Sequence, residues 1–294
     1  MRRRTAVPRT AAVPATAGAA VPGGPRRVWR AVPRRGSTRL RAVGSPTREQ
    51  AGAARGAAVL RALDSEIERV RRATGSAPVV LDVGGGSGTW AVPLAGAGCR
   101  VTVVDTSHDA LATLARRADE AGVTDRISPV NGDVDALADV APADGADLVL
   151  GHGLLEVVDD PGRVLSGLAA AAAPGGAVSV LTVGRYGAFV NRVTTGRLAE
   201  ARRLLTDPAG RTGPDDSLLR RFDAQQLREL AVATGRLGVE TLQGDGTLEA
   251  LLPGPGPEDE QSGREERDEL DALASAVPAL GEVAPRLHLL GRRH

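Results

Sequence analysis

The stretch VVLDVGGGSGTWAVPLAGAGCRVTVVD, residues 79–105, decides the fold of this chain. Its first five residues are apolar except for Asp82, which predicts a strand with both faces covered by helices. The glycines that follow predict a tight turn whose main chain a ligand can approach closely. A short apolar segment and a second strand, 100–105, complete the pattern. Strand, glycine turn, helix and strand in this order predict a βαβ unit of a parallel sheet.

The same alternation of strand and helix continues toward the C-terminus. Strands are predicted in RISPVNGD, ADLVLGHG, AVSVLTVG and LGVETLQ, with Pro174-Gly175-Gly176 as the turn before the third of these. PRLHLLGRR is predicted as a final edge strand. A helix is predicted after Asp223, its N-cap, and ends before Gly235. The predicted fold is α/β, a doubly wound, mostly parallel seven-stranded Rossmann-like sheet.

The chain divides into a leader and one folded domain. Residues 1–48 are rich in Arg, Pro and Ala without an apolar period, so we expect them to be disordered. A targeting peptide, a nucleic-acid or membrane arm and an inert leader are the alternatives for this segment, and its prolines favour the inert leader. Residues 49–294 are expected to form the domain, with a helical lid insertion at 186–222 and an acidic surface loop at 253–269.

Charge and composition exclude several classes of function. The leader holds 12 of the 37 arginines and no acid, which leaves 25 arginines against 36 Asp and Glu in the rest of a chain without lysine. An acidic domain in a chain with five aromatic residues is unlike a basic nucleic-acid footprint or a base-stacking platform. One cysteine, Cys99, excludes an internal disulfide framework, and four scattered histidines predict no metal site. No apolar run approaches a membrane span.

Acidic residues follow three of the predicted strands. Asp82 precedes the first glycine, where a carboxylate would repel a pyrophosphate but can accept from an ammonium group or order water beside it. Asp105 can accept hydrogen bonds from both hydroxyls of a ribose. Asp133 can accept from an adenine amino group while Val134 flanks the ring, or it is an ordinary turn residue. The turn adds the candidate binding residues Gly84, Gly85, Gly86 and Gly88.

The glycines alone leave the cofactor open. Residues 86–91, GSGTWA, also satisfy the GxGxxA pattern of a dinucleotide loop. Asp105 would serve either cofactor class, because both carry a ribose. Asp82 favours a cofactor with a positively charged amino-acid end over one with two phosphates.

Together these motifs resemble the class I S-adenosylmethionine-dependent methyltransferases. DVGGGSG, VVD, NGD and APGGAVSVLTV stand in the order of that family's motifs. The stretch 146–181, PRLHLLGRR and Gly52-Ala53-Ala54-Arg55 are similar to its tRNA 5-carboxymethoxyuridine methyltransferase group. The resemblance implies that Arg55 reaches the carboxylate of the cofactor and that His152 lines the cleft. Gly244-Asp245-Gly246 stands where that group has an arginine for its substrate's carboxylate, which argues against the same pocket.

The resemblance implies a methyltransferase domain that uses S-adenosyl-L-methionine in the cytoplasm. The expected methyl acceptor is a small molecule or a modified nucleoside, with a tRNA wobble-uridine carboxylate as a special case that the acidic domain does not favour. No catalytic residue stands out. An NAD(P)-dependent reductase on the same sheet and a non-catalytic scaffold are the alternatives. Arg220-Arg221-Phe222, after the predicted lid, would hold an anionic substrate or form a surface cluster.

Overall fold

One seven-stranded sheet organises the computed structural model, which describes residues 56–134, 137–248 and 261–294. The predicted leader, Arg55 and residues 253–260 of the predicted acidic loop lie outside the described residues. The strands are β1 Val79–Val83, β2 Arg100–Asp105, β3 Ile127–Asn131, β4 Ala146–His152, β5 Ala172–Val183, β6 Leu237–Asp245 and β7 Arg286–Arg293. The helices are α1 Ala57–Thr74, α2 Ala91–Gly96, α3 His108–Glu120, α4 Leu137–Val140, α5 Pro161–Ala171, α6 Arg185–Thr194, α7 Leu198–Thr206, α8 Ala224–Ala233, α9 Gln261–Ala276 and α10 Pro278–Gly281.

The strand order is β3-β2-β1-β4-β5-β7-β6. Strands β1 to β5 pair in parallel, whereas β7 is antiparallel to both of its neighbours. This confirms the predicted mostly parallel, doubly wound sheet. The carboxyl ends of β1 to β4 therefore meet along one edge, where a doubly wound fold binds its ligands.

The position of β7 differs from the prediction. The segment PRLHLLGRR was predicted as an edge strand, but β7 lies between β5 and β6, and β6 forms the edge. Its first six residues are buried, because a strand inside a sheet is covered by its neighbours and by helices on both faces. Six of the nine β6 residues are partly or fully exposed, as suits an edge strand.

Two predicted boundaries are also wrong. Pro174-Gly175-Gly176 lies within β5, where the register against β4 shifts, instead of forming a turn before the strand. Gly175 adopts a positive φ of 73°, so glycine accommodates the irregularity. The predicted acidic loop 253–269 is helical from Gln261 onward, because α9 begins there.

Two apolar layers enclose the sheet. Residues of α1, α2 and α3 pack with one face of β1, β2 and β4. Residues of α5 and α8 cover the opposite face. The core is built mainly from Val, Leu and Ala, which explains how a chain with five aromatic residues still forms a large interior.

The predicted lid insertion contains two helices, α6 and α7, followed by a long loop. Gly184 and Phe222 form a β-bridge, and the amide of Arg185 donates to the Phe222 carbonyl at 2.8 Å. The insertion therefore starts and ends at the carboxyl end of β5. Its loop is fastened by a buried ion pair of 2.6 Å between Arg221 and Asp216. Arg221 is thus an internal support, which matches neither of the two roles that the sequence left open, an anionic-substrate site or a surface cluster.

Asp223 caps α8, as predicted, in a reciprocal capping box with Gln226. The amide of Gln226 donates to Asp223 Oδ1 at 2.8 Å, and the Asp223 amide donates to Gln226 Oε1 at 3.1 Å. Gly235 follows the helix in a left-handed conformation.

We expect Asp223→Ala to lower the free energy of unfolding by about 1 kcal/mol, because one amide at the start of α8 loses its acceptor. Asp223→Asn keeps a side-chain oxygen and should unfold close to wild type. Urea denaturation of both variants measures the difference. Equal losses would contradict the importance of this hydrogen bond.

Candidate functional site

The glycine turn between β1 and α2 forms the centre of the site. Gly84, Gly86 and Gly88 have φ values of 72°, 53° and 81°, in the region that favours glycine. Gly85 has an ordinary φ, but a Cβ there would lie 2.4 Å from Asp82 Oδ2. A Cβ on Gly88 would lie 2.3 Å from Leu114 Cδ1. Glycine is therefore required at these positions by conformation or by close packing.

Asp82 lies directly beneath this turn. Its side chain is buried, with 1% of the residue exposed, and its Oδ2 has no hydrogen-bond partner in the part of the chain that the structure describes. Burial, with a smaller contribution from the negative charge of Asp105, raises the pKa of Asp82 from 3.8 to about 7. A buried carboxyl in this state is suited to receive an N–H donor or a positive charge.

Asp105, at the end of β2, supports the glycine turn. Its Oδ2 accepts from the Gly86 amide at 2.9 Å, and its Oδ1 accepts from the Ser107 amide at 2.8 Å. Each carboxylate oxygen can accept more than one hydrogen bond, so both remain able to bind a ligand hydroxyl. Asp105 thus joins the turn, β2 and the start of α3 at a point where a diol can reach it.

The segment after β3 lies next to Asp105. The amide of Gly132 donates to the Asp105 carbonyl at 3.1 Å, and Asn131 Nδ2 donates to the same oxygen at 3.2 Å. Asp133 is half-buried beside it. Val134 is buried in the core layer, with 7% exposed. The structure therefore brings the predicted residues of β1, β2 and β3 to one edge, while most of Val134 packs inward.

His152, at the end of β4, belongs to a chain of polar side chains that crosses four strands. His152 Nε2 lies 2.8 Å from Ser179 Oγ on β5, which lies 2.9 Å from His288 Nε2 on β7. Gln243 Nε2 on β6 lies 3.2 Å from His288 Nδ1. The indole of Trp90, just after the glycine turn, meets the His152 ring edge-on at a centroid distance of 4.7 Å.

Sequence reasoning missed Ser179, His288 and Gln243. A signal for the first two was present, because each is a polar residue inside an apolar strand, in AVSVLTV and in LHLL. Buried polar groups normally have a partner, so two such residues predict a pairing. The strand order needed to bring them together was not readable from the sequence.

Glu156, in the loop after β4, is a second buried carboxyl. Its residue is 2% exposed, and its Oε2 has no hydrogen-bond partner among the described residues. Burial raises its pKa to about 7, although the positive charges of Arg221 and Arg220 act in the opposite direction. Arg220 itself donates to the carbonyls of Leu155, Val158 and Asp159. Arg220 therefore fastens the loop after β4 instead of offering an open anion site.

Gly246, directly after β6, stands where the resembling group has an arginine, and its φ is 74°. Asp245, the last residue of β6, is fully buried, and its Oδ2 accepts from Arg286 Nε at 2.7 Å, across the β6–β7 pair. The nearby positive charge therefore comes from β7 and is already paired with a carboxylate. This arrangement differs from the carboxylate pocket that the resemblance implies.

No group of three or more His, Cys, Asp or Glu side chains within 56–134, 137–248 and 261–294 is arranged to hold a metal ion. No helix in these ranges is both long and apolar enough to cross a membrane.

Residues 80–176 match the family model described as "Methyltransferase domain". The chain is 33% identical over 119 residues to tRNA 5-carboxymethoxyuridine methyltransferase of Escherichia coli K12, covering 40% of this chain and 44% of the relative. It is 38% identical over 109 residues to the ubiquinone biosynthesis O-methyltransferase of Caulobacter sp. K31, covering 36% of this chain and 41% of that relative. The chain thus spans less than half the length of these curated relatives.

A solved structure shows the same fold. Magnesium protoporphyrin IX methyltransferase from Synechocystis PCC 6803, with bound S-adenosylhomocysteine (SAH), matches with a TM-score of 0.50 at 14% identity, over 81% of this chain and 84% of that one. At this identity the likeness concerns the fold alone. Residues 80–176 thus match a methyltransferase domain, and most of the chain shares its fold with a solved methyltransferase.

Proposed function

We propose that this protein is an S-adenosyl-L-methionine-dependent methyltransferase. The observation that carries the proposal is the row of carboxyl groups at the ends of β1, β2 and β3, grouped around a glycine turn. Asp133 would bind the adenine amino group, Asp105 the ribose hydroxyls and Asp82 the amino-acid end. Proteins with these names and this domain transfer methyl groups, which supports the assignment.

The residues present fit this cofactor. Asp82 Oδ2 is buried without a hydrogen-bond partner among the described residues, as expected of an acceptor whose donor is a ligand. Gly85 packs tightly against this carboxyl, since a Cβ there would lie 2.4 Å from Asp82 Oδ2, so Asp82 and the main chain of the glycine turn are in close contact. A pyrophosphate in the same place would face the Asp82 carboxyl, which argues against an NAD(P)-dependent reductase.

The chain's own contribution is binding and alignment. When bound, the cofactor supplies a methyl group on a sulfonium, which is already an excellent leaving group. Correct orientation of the reactants can lower the activation barrier by on the order of 7 to 11 kcal/mol. Most of the chain's contribution to catalysis would therefore come from the rigid strand ends, which hold the cofactor in place. An ionised carboxylate acceptor needs no general base, whereas a hydroxyl must lose a proton. The insertion starts and ends at the carboxyl end of β5, and we propose that it acts as a lid that covers the acceptor and excludes water.

The proposed acceptor is a small molecule or a modified nucleoside. The two curated relatives are named for a tRNA nucleoside and for ubiquinone biosynthesis. Holding a whole tRNA requires several cations against phosphates, but acids outnumber arginines after residue 48. Gly246 in place of an arginine further separates this site from a uridine-carboxylate pocket. A cytoplasmic location completes the proposal and fits the single free cysteine, Cys99.

Ligand binding to the purified full chain tests the cofactor assignment. We expect SAH to raise the melting temperature and NADH to leave it unchanged, because a ligand at 100 times its Kd stabilises by about 2.7 kcal/mol. Asp105→Ala should abolish the SAH shift, whereas the exposed Asp119→Ala should retain it. Stabilisation by NADH alone would overturn the proposal, and absence of any SAH binding would favour a non-catalytic scaffold.

Methyl transfer from labelled cofactor tests the acceptor. We expect label in a small-metabolite extract or in free modified nucleosides, because the acidic domain holds intact tRNA weakly. Total bacterial tRNA is the parallel substrate pool. Incorporation into intact tRNA, with none into the other pools, would contradict the preference for a small acceptor.

Asp82→Asn gives a pH-dependent test of the site. A carboxyl whose pKa rises from 3.8 unfolded to about 7 folded destabilises the protein increasingly from about pH 4 to pH 7. Asp82→Asn lacks this titration, so it should gain stability relative to wild type across that interval, on the order of a few kcal/mol, and level off above it. The same variant should bind SAH more weakly.

Denaturation curves from pH 4 to pH 8 measure the Asp82→Asn effect, with the exposed Asp119→Asn as control. The control should follow wild type at every pH. A difference between Asp82→Asn and wild type that is constant with pH would contradict the raised pKa of Asp82.

A further inference from the structure

The polar chain from Gln243 to His152 determines which nitrogen of His152 carries the proton. Gln243 Nε2 faces the Ala58 carbonyl at 3.4 Å as well as His288 Nδ1 at 3.2 Å. A carbonyl oxygen can only accept, so the Gln243 atom between these two groups is the amide nitrogen, which donates to both. His288 Nδ1 is therefore an acceptor.

The remaining links follow from the number of protons. Burial lowers the pKa of His288 to about 4, so its ring is neutral at pH 7 and its single proton is on Nε2. His288 Nε2–H then donates to Ser179 Oγ. Among the described residues, Ser179 Oγ has two hydrogen-bond partners, His288 and His152, so its own proton is directed to His152 Nε2.

His152 is left with its proton on Nδ1. Burial and the nearby His288 ring lower the pKa of His152 well below its usual value, so this ring is also neutral. His152 Nδ1 is buried and has no hydrogen-bond partner in the part of the chain that the structure describes. The two histidines thus have opposite tautomers, and an N–H donor is left unpaired at the end of β4. Such a group is costly unless a ligand accepts from it.

We propose that Gln243, His288 and Ser179 are positioning residues that hold His152 as an Nδ1–H donor for the carboxylate at the amino-acid end of the bound cofactor. The assignment rests on the proposed function and on the strand order. Asp133 follows β3, Asp105 ends β2 and Asp82 is the penultimate residue of β1, and β4 is the next strand in the sheet. Neighbouring strands lie about 4.8 Å apart, and the amino and carboxylate groups of an amino acid share one carbon. A donor one strand beyond Asp82 therefore matches the carboxylate.

The same chain argues against His152 as a proton acceptor. To accept at Nδ1, the ring would have to donate from Nε2, and Ser179 Oγ would then either accept from both histidines and leave its own buried proton without an acceptor, or donate to His288 Nε2 and move the His288 proton to Nδ1. His288 Nδ1–H would then face the Gln243 amide nitrogen, and two donors would oppose each other. His152 is thus assigned to binding and not to removal of a proton from the methyl acceptor.

NMR of the ligand-free full chain, labelled with ¹⁵N-histidine, tests the proton placement directly. The chain has four histidines, and His108→Gln with His294→Gln leaves the two of interest. We expect long-range ¹H–¹⁵N correlations to show His152 protonated on Nδ1 and His288 on Nε2 at pH 7. A proton on His152 Nε2, or a doubly protonated ring, would overturn the inference without touching the proposed function.

Two ligands and two variants test the carboxylate. SAH should shift the His152 Nδ1–H signal, whereas 5′-methylthioadenosine, which lacks the amino-acid end, should not. We expect His152→Phe to weaken SAH binding by about 10- to 100-fold and Ser179→Ala by about 3- to 10-fold, with the affinity for 5′-methylthioadenosine changed less than about twofold. Equal shifts or equal losses with both ligands would overturn the carboxylate assignment.

The control variant is Thr182→Val, which removes a buried hydroxyl on the same strand but outside the polar chain. It should leave both the tautomers and the SAH affinity unchanged. Failure of wild type to bind SAH would overturn the proposed function and the carboxylate assignment together, while the ligand-free spectrum still decides the tautomers.

Discussion

The carboxylate of Asp105 holds a loop that belongs to the neighbouring strand. Its Oδ2 accepts from the Gly86 amide at 2.9 Å, and its Oδ1 accepts from the Ser107 amide at the start of α3. The glycine turn has no bulky side chains with which to anchor itself, so it depends on outside groups: the Asp105 carboxylate, the Val104 carbonyl that accepts from the Gly84 amide, and Arg117, which donates to Ser87. In the proposed function the same carboxylate binds the ribose. Turn geometry and ligand binding therefore share this group, and a change at Asp105 affects both.

Much of the fold was predictable from local sequence. The strands 79–83 and 100–105 were predicted with the bounds of β1 and β2, because a strand covered on both faces leaves a continuous apolar run. The Asp223 cap was predictable because it depends on a single residue at a helix start. The place of β7 was not, since an apolar run indicates a strand without indicating its neighbours. Sheet order is decided by long-range pairing, which one sequence does not reveal.

The candidate site divides in the same way. Asp82, the glycines and Asp105 could be grouped in advance, because the carboxyl ends of adjacent parallel strands must meet. The contact between Ser179 and His288 could not, because it requires β7 to lie beside β5 in one particular register. Val134 was expected beside an adenine ring, but most of its side chain packs in the hydrophobic core. Site residues at the ends of individual strands could thus be predicted from the sequence, whereas side-chain contacts that cross several strands could not.

The site combines two unsatisfied groups of opposite character on adjacent strands. Asp82 Oδ2 is an acceptor at the end of β1, and His152 Nδ1 is a donor at the end of β4; neither has a hydrogen-bond partner among the described residues. Each unpaired buried group destabilises the ligand-free protein by about 1 to 3 kcal/mol. A zwitterionic amino acid carries an ammonium and a carboxylate on one carbon, so it satisfies both groups at once. A dinucleotide offers neither an ammonium for Asp82 nor a carboxylate one strand away. The two unpaired atoms together therefore distinguish S-adenosylmethionine from a dinucleotide more sharply than the glycine turn does.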